Sequence, residues 1–327
     1  MNGRIEHDLK IQKANQKKLE SMPEIVKEYY DFMKASRMTE ATCRNYLSKI
    51  HHFLTFLKLD NDTFKGDNIK ANDVTRYLNS LETKKDKDGN ETYTSDSYKQ
   101  TVWICLNGFM GFLVSNGYLK RNYMSDIAKP KIKDEDRINE KRIKLSSADF
   151  RSILWEIDKN NDIVARKRDK AMMSLMMTTG MRESALSEIN VDNVNLDEHK
   201  IVGIAKGKKA MEYTFNSNTA KAIKEWITVR DGYQRKEKSE SLFLSNQGNR
   251  MAVNSIAKMV KKYTKNALGK ELSPHKIRAG YCTILYEQTN DIEFVRRAVG
   301  HANSKTTQRY CVSRGTERAE AAEMIGI

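Results

Sequence analysis

Only three of the 327 residues are proline, and each falls at an informative place. Pro23 opens a helix, Pro130 sits in a charged linker, and Pro274 stands at the start of a candidate active-site helix. Cysteine is almost as scarce. Cys43, Cys105, Cys282 and Cys311 are far apart, with no C-x-x-C and no Cys/His metal spacing, so neither a disulfide framework nor a zinc site is expected. Cys43 and Cys105 fall in apolar helical stripes, where a free thiol behaves as a small hydrophobe. No apolar run approaches the length of a membrane span, and no membrane partner is expected. Met1 to Glu20 is charged throughout and has no apolar core, so it does not read as a secretion signal. These absences describe a reduced, cytoplasmic protein without metal or other cofactor.

Positive charge is what the chain has in excess. Its formal net charge is +15, with 31% charged residues beside 39% hydrophobic ones. Self-repulsion of that size opposes compaction, and a polyanionic partner offsets it. For an intracellular protein the commonest such partner is DNA; the plainer alternative is a basic surface that serves solubility.

The first half reads as four helices. Ile25, Val26, Tyr29, Phe32 and Met33 recur at helical spacing. Cys43, Tyr46, Leu47, Ile50, Phe53, Leu54 and Leu57 form a second apolar stripe. Val74, Tyr77, Leu78 and Leu81 mark a short third helix. After the polar loop Lys84 to Thr92, a fourth carries Tyr98, Val102, Cys105, Leu106, Phe109, Phe112 and Leu113. With no strand signal between them, residues 21–125 read as an all-α domain. Residues 1–20 are a charged segment ahead of it. Residues 126–144 are dense in charge, with isolated apolar residues and Pro130, and read as an extended linker.

Residues 145–315 read as a mixed α+β domain, so the fold class is mainly α with one small antiparallel sheet. Ser146 to Asp149 starts a helix, and Ala171 to Met177 is apolar almost all round, as a buried helix is. Lys200 to Phe215 alternates about a turn at Lys206 to Lys209 and reads as a hairpin. Helices return at Ala220–Val229, Asn254–Ala267, Lys276–Gln288 and Ile292–Val299. Lys258, Lys261, Lys262 and Lys265 line one of them opposite Ile256, Met259, Val260 and Tyr263, a face fit for DNA or simply for solvent.

Six residues in five short features carry chemistry. Arg182 ends Thr179-Gly180-Met181-Arg182, and Lys206 sits at the hairpin turn. His275 and Arg278 share a helix start, His301 follows Gly300, and Tyr310 ends Thr307-Gln308-Arg309-Tyr310. Each feature alone is commonplace: arginines pair with solvent, turn lysines are solvated, and C-terminal tyrosines pack. Together they suit phosphodiester cleavage. Two arginines can hold non-bridging oxygens with paired donors. A tyrosine can attack phosphorus and store the bond as an ester. Its ordinary pKa of about 10 calls for a base or a strongly positive site, which a histidine supplies. A lysine can protonate the leaving 5′ oxygen.

This set resembles the tyrosine recombinases, the family of phage and transposon integrases and Xer-type resolvases. Their motifs are a Thr-Gly-x-Arg turn, a Gly-Lys-Gly hairpin, a His-x-x-Arg helix, a Leu-Gly-His turn and a Thr-x-x-Tyr end. Here they read Thr179 to Arg182, Ala205-Lys206-Gly207, His275 to Arg278, Val299-Gly300-His301 and Thr307 to Tyr310. The resemblance implies Tyr310 as nucleophile, Arg182 and Arg278 as phosphate clamp and Lys206 as general acid, with Lys208 and Lys209 as neighbours able to take that role. It implies that His275 exchanges the tyrosine proton and that His301 supports the transition state. It makes residues 21–125 a core-binding domain closing with the catalytic domain around DNA as a C-shaped clamp. The implied partners are a double-stranded recombination site, three further copies in a homo-tetramer on two sites, and accessory DNA-bending or directionality proteins. The expected location is the nucleoid. A tail helix at 316–327, with Ala321, Met324 and Ile325 in register, would link subunits. Three positions depart from the family. An acidic residue is usual where Ala185 stands, His where Ala279 stands, and Ser or Thr where Gly280 stands. Two other readings remain: a type IB topoisomerase, and a DNA-binding protein on a decayed recombinase fold.

Overall fold

Thr39, Ser95, Ser146 and Asp162 each accept a hydrogen bond from a backbone N–H one turn ahead, and these caps set where several of the helices begin. The computed structural model describes residues 3–60, 63–85, 89–131, 145–204, 210–233 and 239–300. The chain forms two compact units, Met1–Arg137 and Ile138–Ile327.

In the first unit, helices α1 (Gly3–Leu19), α2 (Glu24–Ala35), α3 (Glu40–Phe56), α4 (Ala71–Asn79) and α5 (Asp96–Ser115) pack together. Pro23 immediately precedes α2. Helix α3 lies against α1, α2 and α5, and Leu47, Ile50 and Phe53 are fully buried along it. Each such side chain contributes roughly 1.5–3 kcal/mol. Two features depart from the sequence reading. Most of the charged N-terminal segment is a docked helix: Ile11, Asn15 and Leu19 of α1 are buried. Asn15 Nδ2 donates to the Glu40 carboxylate at 2.8 Å and to its carbonyl at 3.0 Å. Lys34 Nζ lies 2.7 Å from the same carboxylate, and Tyr30 donates to it at 2.9 Å. A polar anchor leaves no apolar stripe to read. The polar stretch expected to be a loop likewise contributes two paired strands, β1 (Thr83–Lys85) antiparallel to β2 (Glu91–Tyr93). Two three-residue strands are too short to show alternation.

The second unit contains α6 (Ser147–Asp158), α7 (Ile163–Thr179), α8 (Glu183–Glu188), α9 (Ser217–Arg230), α10 (Val253–Leu268), α11 (Pro274–Thr289) and α12 (Ile292–Val299). Helix α7 is central, packed by α6, α9 and α11. Ala171 through Met177 are all buried, the outcome expected of a helix apolar on every side. Strands β3 (Val194–Asn195), β4 (Lys200–Ile204) and β5 (Ala210–Thr214) form an antiparallel sheet in that order. Its third strand was not apparent in the sequence, because two residues carry no pattern. Ile201 faces Tyr213 across β4 and β5. Trp226 is fully buried and donates its indole N–H to Leu242 O at 2.7 Å. On α10, Lys258, Lys261, Lys262 and Lys265 are exposed and Ile256, Met259, Val260 and Tyr263 buried, with Lys265 paired to Glu271 at 3.3 Å. Among the described residues, no helix is long and apolar enough to cross a membrane.

Candidate active site

The site is built where α7 stops. Gly180 caps the helix with φ +59°, its N–H bonding Met176 O at 3.1 Å. Left-handed backbone favours glycine, and space demands it as well. A Cβ on Gly180 would sit 2.3 Å from Cδ1 of Tyr281 on α11. The ring of Tyr281 therefore lies directly on the turn, and α11 is held against it. Thr179 Oγ1 donates to Leu175 O at 2.6 Å and accepts from Met181 N at 3.2 Å, fixing the exit from the helix. Arg182 follows as the residue before α8, partly buried. No carboxylate pairs with it among the described residues.

Arg278 ties three segments together. It is 2% exposed. Nη1 donates to Gly180 O at 2.5 Å and Nη2 to Val299 O at 2.7 Å. The Thr-Gly-Met-Arg turn, the His-x-x-Arg helix and the end of α12 thus meet at one guanidinium. His275 lies one turn before Arg278 on α11, behind Pro274 at the helix start, and is exposed. Gly300 closes α12 with φ +63°, and a Cβ there would lie 2.5 Å from Met211 Sδ on β5. The hairpin is thereby brought against the α12 end.

Tyr213, two residues along β5 from Met211, is 2% exposed. Burial pushes its phenol pKa up, while the nearby charges of Arg278 and Arg182 pull it down. The phenol therefore lies within electrostatic reach of both arginines. The sequence reading placed Tyr213 only as an alternating strand residue. Its sole signal was that inward register, on the strand that follows Lys206 in the sequence. An open cavity of about 440 Å³ borders the turn, lined in part by Thr179, Tyr213, Tyr281, Phe294 and Arg297.

The structure thus brings Arg182 and Arg278 together, with His275 at the near end of α11. Lys206, His301 and Tyr310 lie outside the described residues, as does the tail at 316–327. Strands β4 and β5 end on either side of Lys206 in the sequence, their last pair being Ile204 and Ala210, and Gly300 directly precedes His301. All three departures have a packing reason. Ala185 and Ala279 are buried, at 4% and 3% exposure, where a charged or imidazole side chain would lose its water. Gly280 has Leu145 Cβ 2.8 Å from where its own Cβ would be, so a serine there would collide with the start of the domain.

Residues 145–316 match the phage integrase family. The chain belongs to that family, the tyrosine recombinases. It is similar to the tyrosine recombinase XerC of Histophilus somni (strain 2336), 27% identical over 291 residues, covering 88% of this chain and 91% of the relative. Among solved structures, the XerH site-specific recombinase bound to a palindromic difH substrate, a post-cleavage complex, aligns with a TM-score of 0.66 at 22% identity, over 90% of this chain and 82% of that one. A lambda integrase tetramer bound to a Holliday junction aligns at 0.63 with 15% identity, over 89% and 77%. At these identities the structures speak for the fold. The recombinase fold is the mainly helical one with a small antiparallel sheet described above.

Proposed function

We infer that this chain is a site-specific DNA recombinase that cuts and rejoins DNA through a 3′-phosphotyrosine intermediate on Tyr310, integrating, excising or resolving DNA of a mobile element or replicon. The observation that carries this is the meeting of the Arg182 turn and the Arg278 helix at Gly180 O. Two arginines on rigid, mutually bonded segments are a clamp for the non-bridging oxygens of a phosphodiester. Negative charge grows on those oxygens as phosphorus becomes five-coordinate, and fixed cations stabilise it without reorganising. Tyr310 supplies the nucleophile, His275 exchanges its proton, Lys206 protonates the leaving 5′ oxygen, and His301 hydrogen-bonds the phosphate.

Residues 145–315 are the catalytic domain on this reading and residues 21–125 the core-binding domain, joined by the linker 126–144. Helix α1 extends the core-binding part toward the N-terminus. The net charge of +15 supports a DNA partner, whose phosphates supply affinity and whose base edges supply site choice. A homo-tetramer on two sites, with the tail 316–327 linking neighbours and accessory proteins setting direction, follows from the lambda integrase likeness and the family. The place of work is the nucleoid.

The test starts from a pool of nicked duplexes of randomised sequence. Wild-type protein should trap a subset as SDS-resistant adducts, and sequencing those duplexes gives the site. Tyr310→Phe should bind the selected duplex equally well and trap none. An undiminished adduct from Tyr310→Phe would exclude that tyrosine as the nucleophile. Supercoil relaxation without two-site recombination would favour the topoisomerase reading.

A further inference from the structure

Among the described residues, the site holds a buried hydroxyl without a hydrogen-bond partner. The hydroxyl of Tyr213 is buried and makes no hydrogen bond, although the side chain is 98% enclosed by its 2% exposure. Buried hydroxyls in native proteins are nearly always bonded, and an exception calls for a physical account. The surroundings supply one. Tyr213 sits on β5 opposite Ile201, in the same inward register as Met211, whose sulfur packs on Gly300. Both arginines of the clamp act on its phenol. Arg278 donates to Val299 O, one residue before Gly300, so β5 and the guanidinium meet at the same end of α12.

We propose that Tyr213 is a further phosphate ligand of the active site, its hydroxyl donating a hydrogen bond to a non-bridging oxygen of the scissile phosphate between Arg182 and Arg278. This rests on the reading of the site as a phosphodiester-transfer centre. The ionisation state suits the role. Burial outweighs the pull of Arg278 and Arg182 and holds the phenol above its ordinary value, so at neutral pH Tyr213 keeps its proton. It is therefore a donor and not a second nucleophile. A phenylalanine would fill the same volume, so the ring alone does not account for a hydroxyl here. No bond is made or broken at Tyr213 itself. It adds a neutral donor to two cationic ones, and its bond strengthens as charge gathers on the oxygen it touches.

The experiment compares wild type with Tyr213→Phe in single-turnover adduct formation on the nicked duplex selected by the wild-type protein. The same duplex is also made with a methylphosphonate at the scissile position, as separated diastereomers. On ordinary DNA the variant should lose about 10- to 100-fold in rate, the worth of a hydrogen bond to a charged oxygen, with duplex affinity unchanged. On the one diastereomer whose methyl replaces the oxygen Tyr213 touches, wild type and variant should react alike. On the other the deficit should persist. A deficit equal on both diastereomers would show that the hydroxyl acts through the fold, and would overturn the proposal. So would an undiminished rate on ordinary DNA. The thermal midpoint without DNA should be unchanged or higher in Tyr213→Phe, because no bond is lost; a lower midpoint reveals a structural partner and also overturns it. Wild-type adduct with undiminished variant adduct removes Tyr213 alone, whereas no wild-type adduct removes the parent reading with it.

Discussion

Replacing Gly180 by alanine tests the joint between fold and chemistry. Two costs add. At φ +59° an L-residue loses about 1–2 kcal/mol relative to its preferred backbone. The new methyl would also meet Tyr281 Cδ1 at 2.3 Å and Cε1 at 2.9 Å, an overlap of the kind that costs about 1–3 kcal/mol as neighbours shift. The sum is roughly 2–5 kcal/mol against the second unit. Urea unfolding followed by tryptophan fluorescence measures it. The three tryptophans are Trp103, Trp155 and Trp226, so a Trp103→Phe background removes the signal of the first unit. The two costs separate in a cycle. With Tyr281→Ala in place the overlap is gone, and Gly180→Ala should then cost only the backbone share of about 1–2 kcal/mol. Gly180 O also holds Arg278 Nη1, so Gly180→Ala should slow adduct formation as well as unfold sooner. A total loss below about 1 kcal/mol, or a loss indifferent to Tyr281→Ala, would refute the account of Gly180 as a spatial and conformational necessity.

Two further outcomes are expected. Arg278→Lys leaves one ammonium to serve Gly180 O and Val299 O, which the planar guanidinium serves with separate nitrogens; adduct formation should fall about 100-fold or more while gel-shift affinity for the duplex stays near normal. In the first unit, burial pushes the Glu40 carboxyl up, but hydrogen bonds from Lys34, Asn15 and Tyr30 outweigh it and hold the group below its ordinary range. Its stabilising share is therefore present above the unfolded value of about 4.3 and is lost as pH falls through the lower folded value. Hydrogen exchange across α1 should accelerate over that window in the wild type, and Glu40→Gln should be weaker at neutral pH with a flatter acid profile. An identical pH dependence in the two proteins would remove Glu40 as the anchor.

Much of the second unit was legible because its signals are local. Seven buried residues in a row on α7, a proline at the start of α11 and alternation across β4 and β5 are each fixed by neighbours in sequence. The motif residues were legible for a different reason: phosphodiester chemistry demands particular side-chain types, and those types recur in a fixed order. Helix α1 and the β1–β2 hairpin were not legible. The first docks partly through Asn15 to Glu40, 25 residues away, and charged surroundings conceal it. The second is set by cross-strand pairing that two three-residue strands cannot advertise.

By itself, the sequence determined the chemical inventory of this recombinase, its helical periodicities and its excess of positive charge. All three are properties of residue type and spacing, which survive without knowledge of what lies nearby. Tertiary structure alone decided that Gly180 must be glycine, because only then is Tyr281 known to lie over it. It alone showed why Gly280 has no room for a serine, because Leu145 arrives from 135 positions earlier in the chain. It also turned Tyr213 from one strand residue among several into a buried hydroxyl within electrostatic reach of two arginines. Excluded volume and unmet hydrogen bonds depend on which distant atoms come together, and that is settled only when the chain has folded.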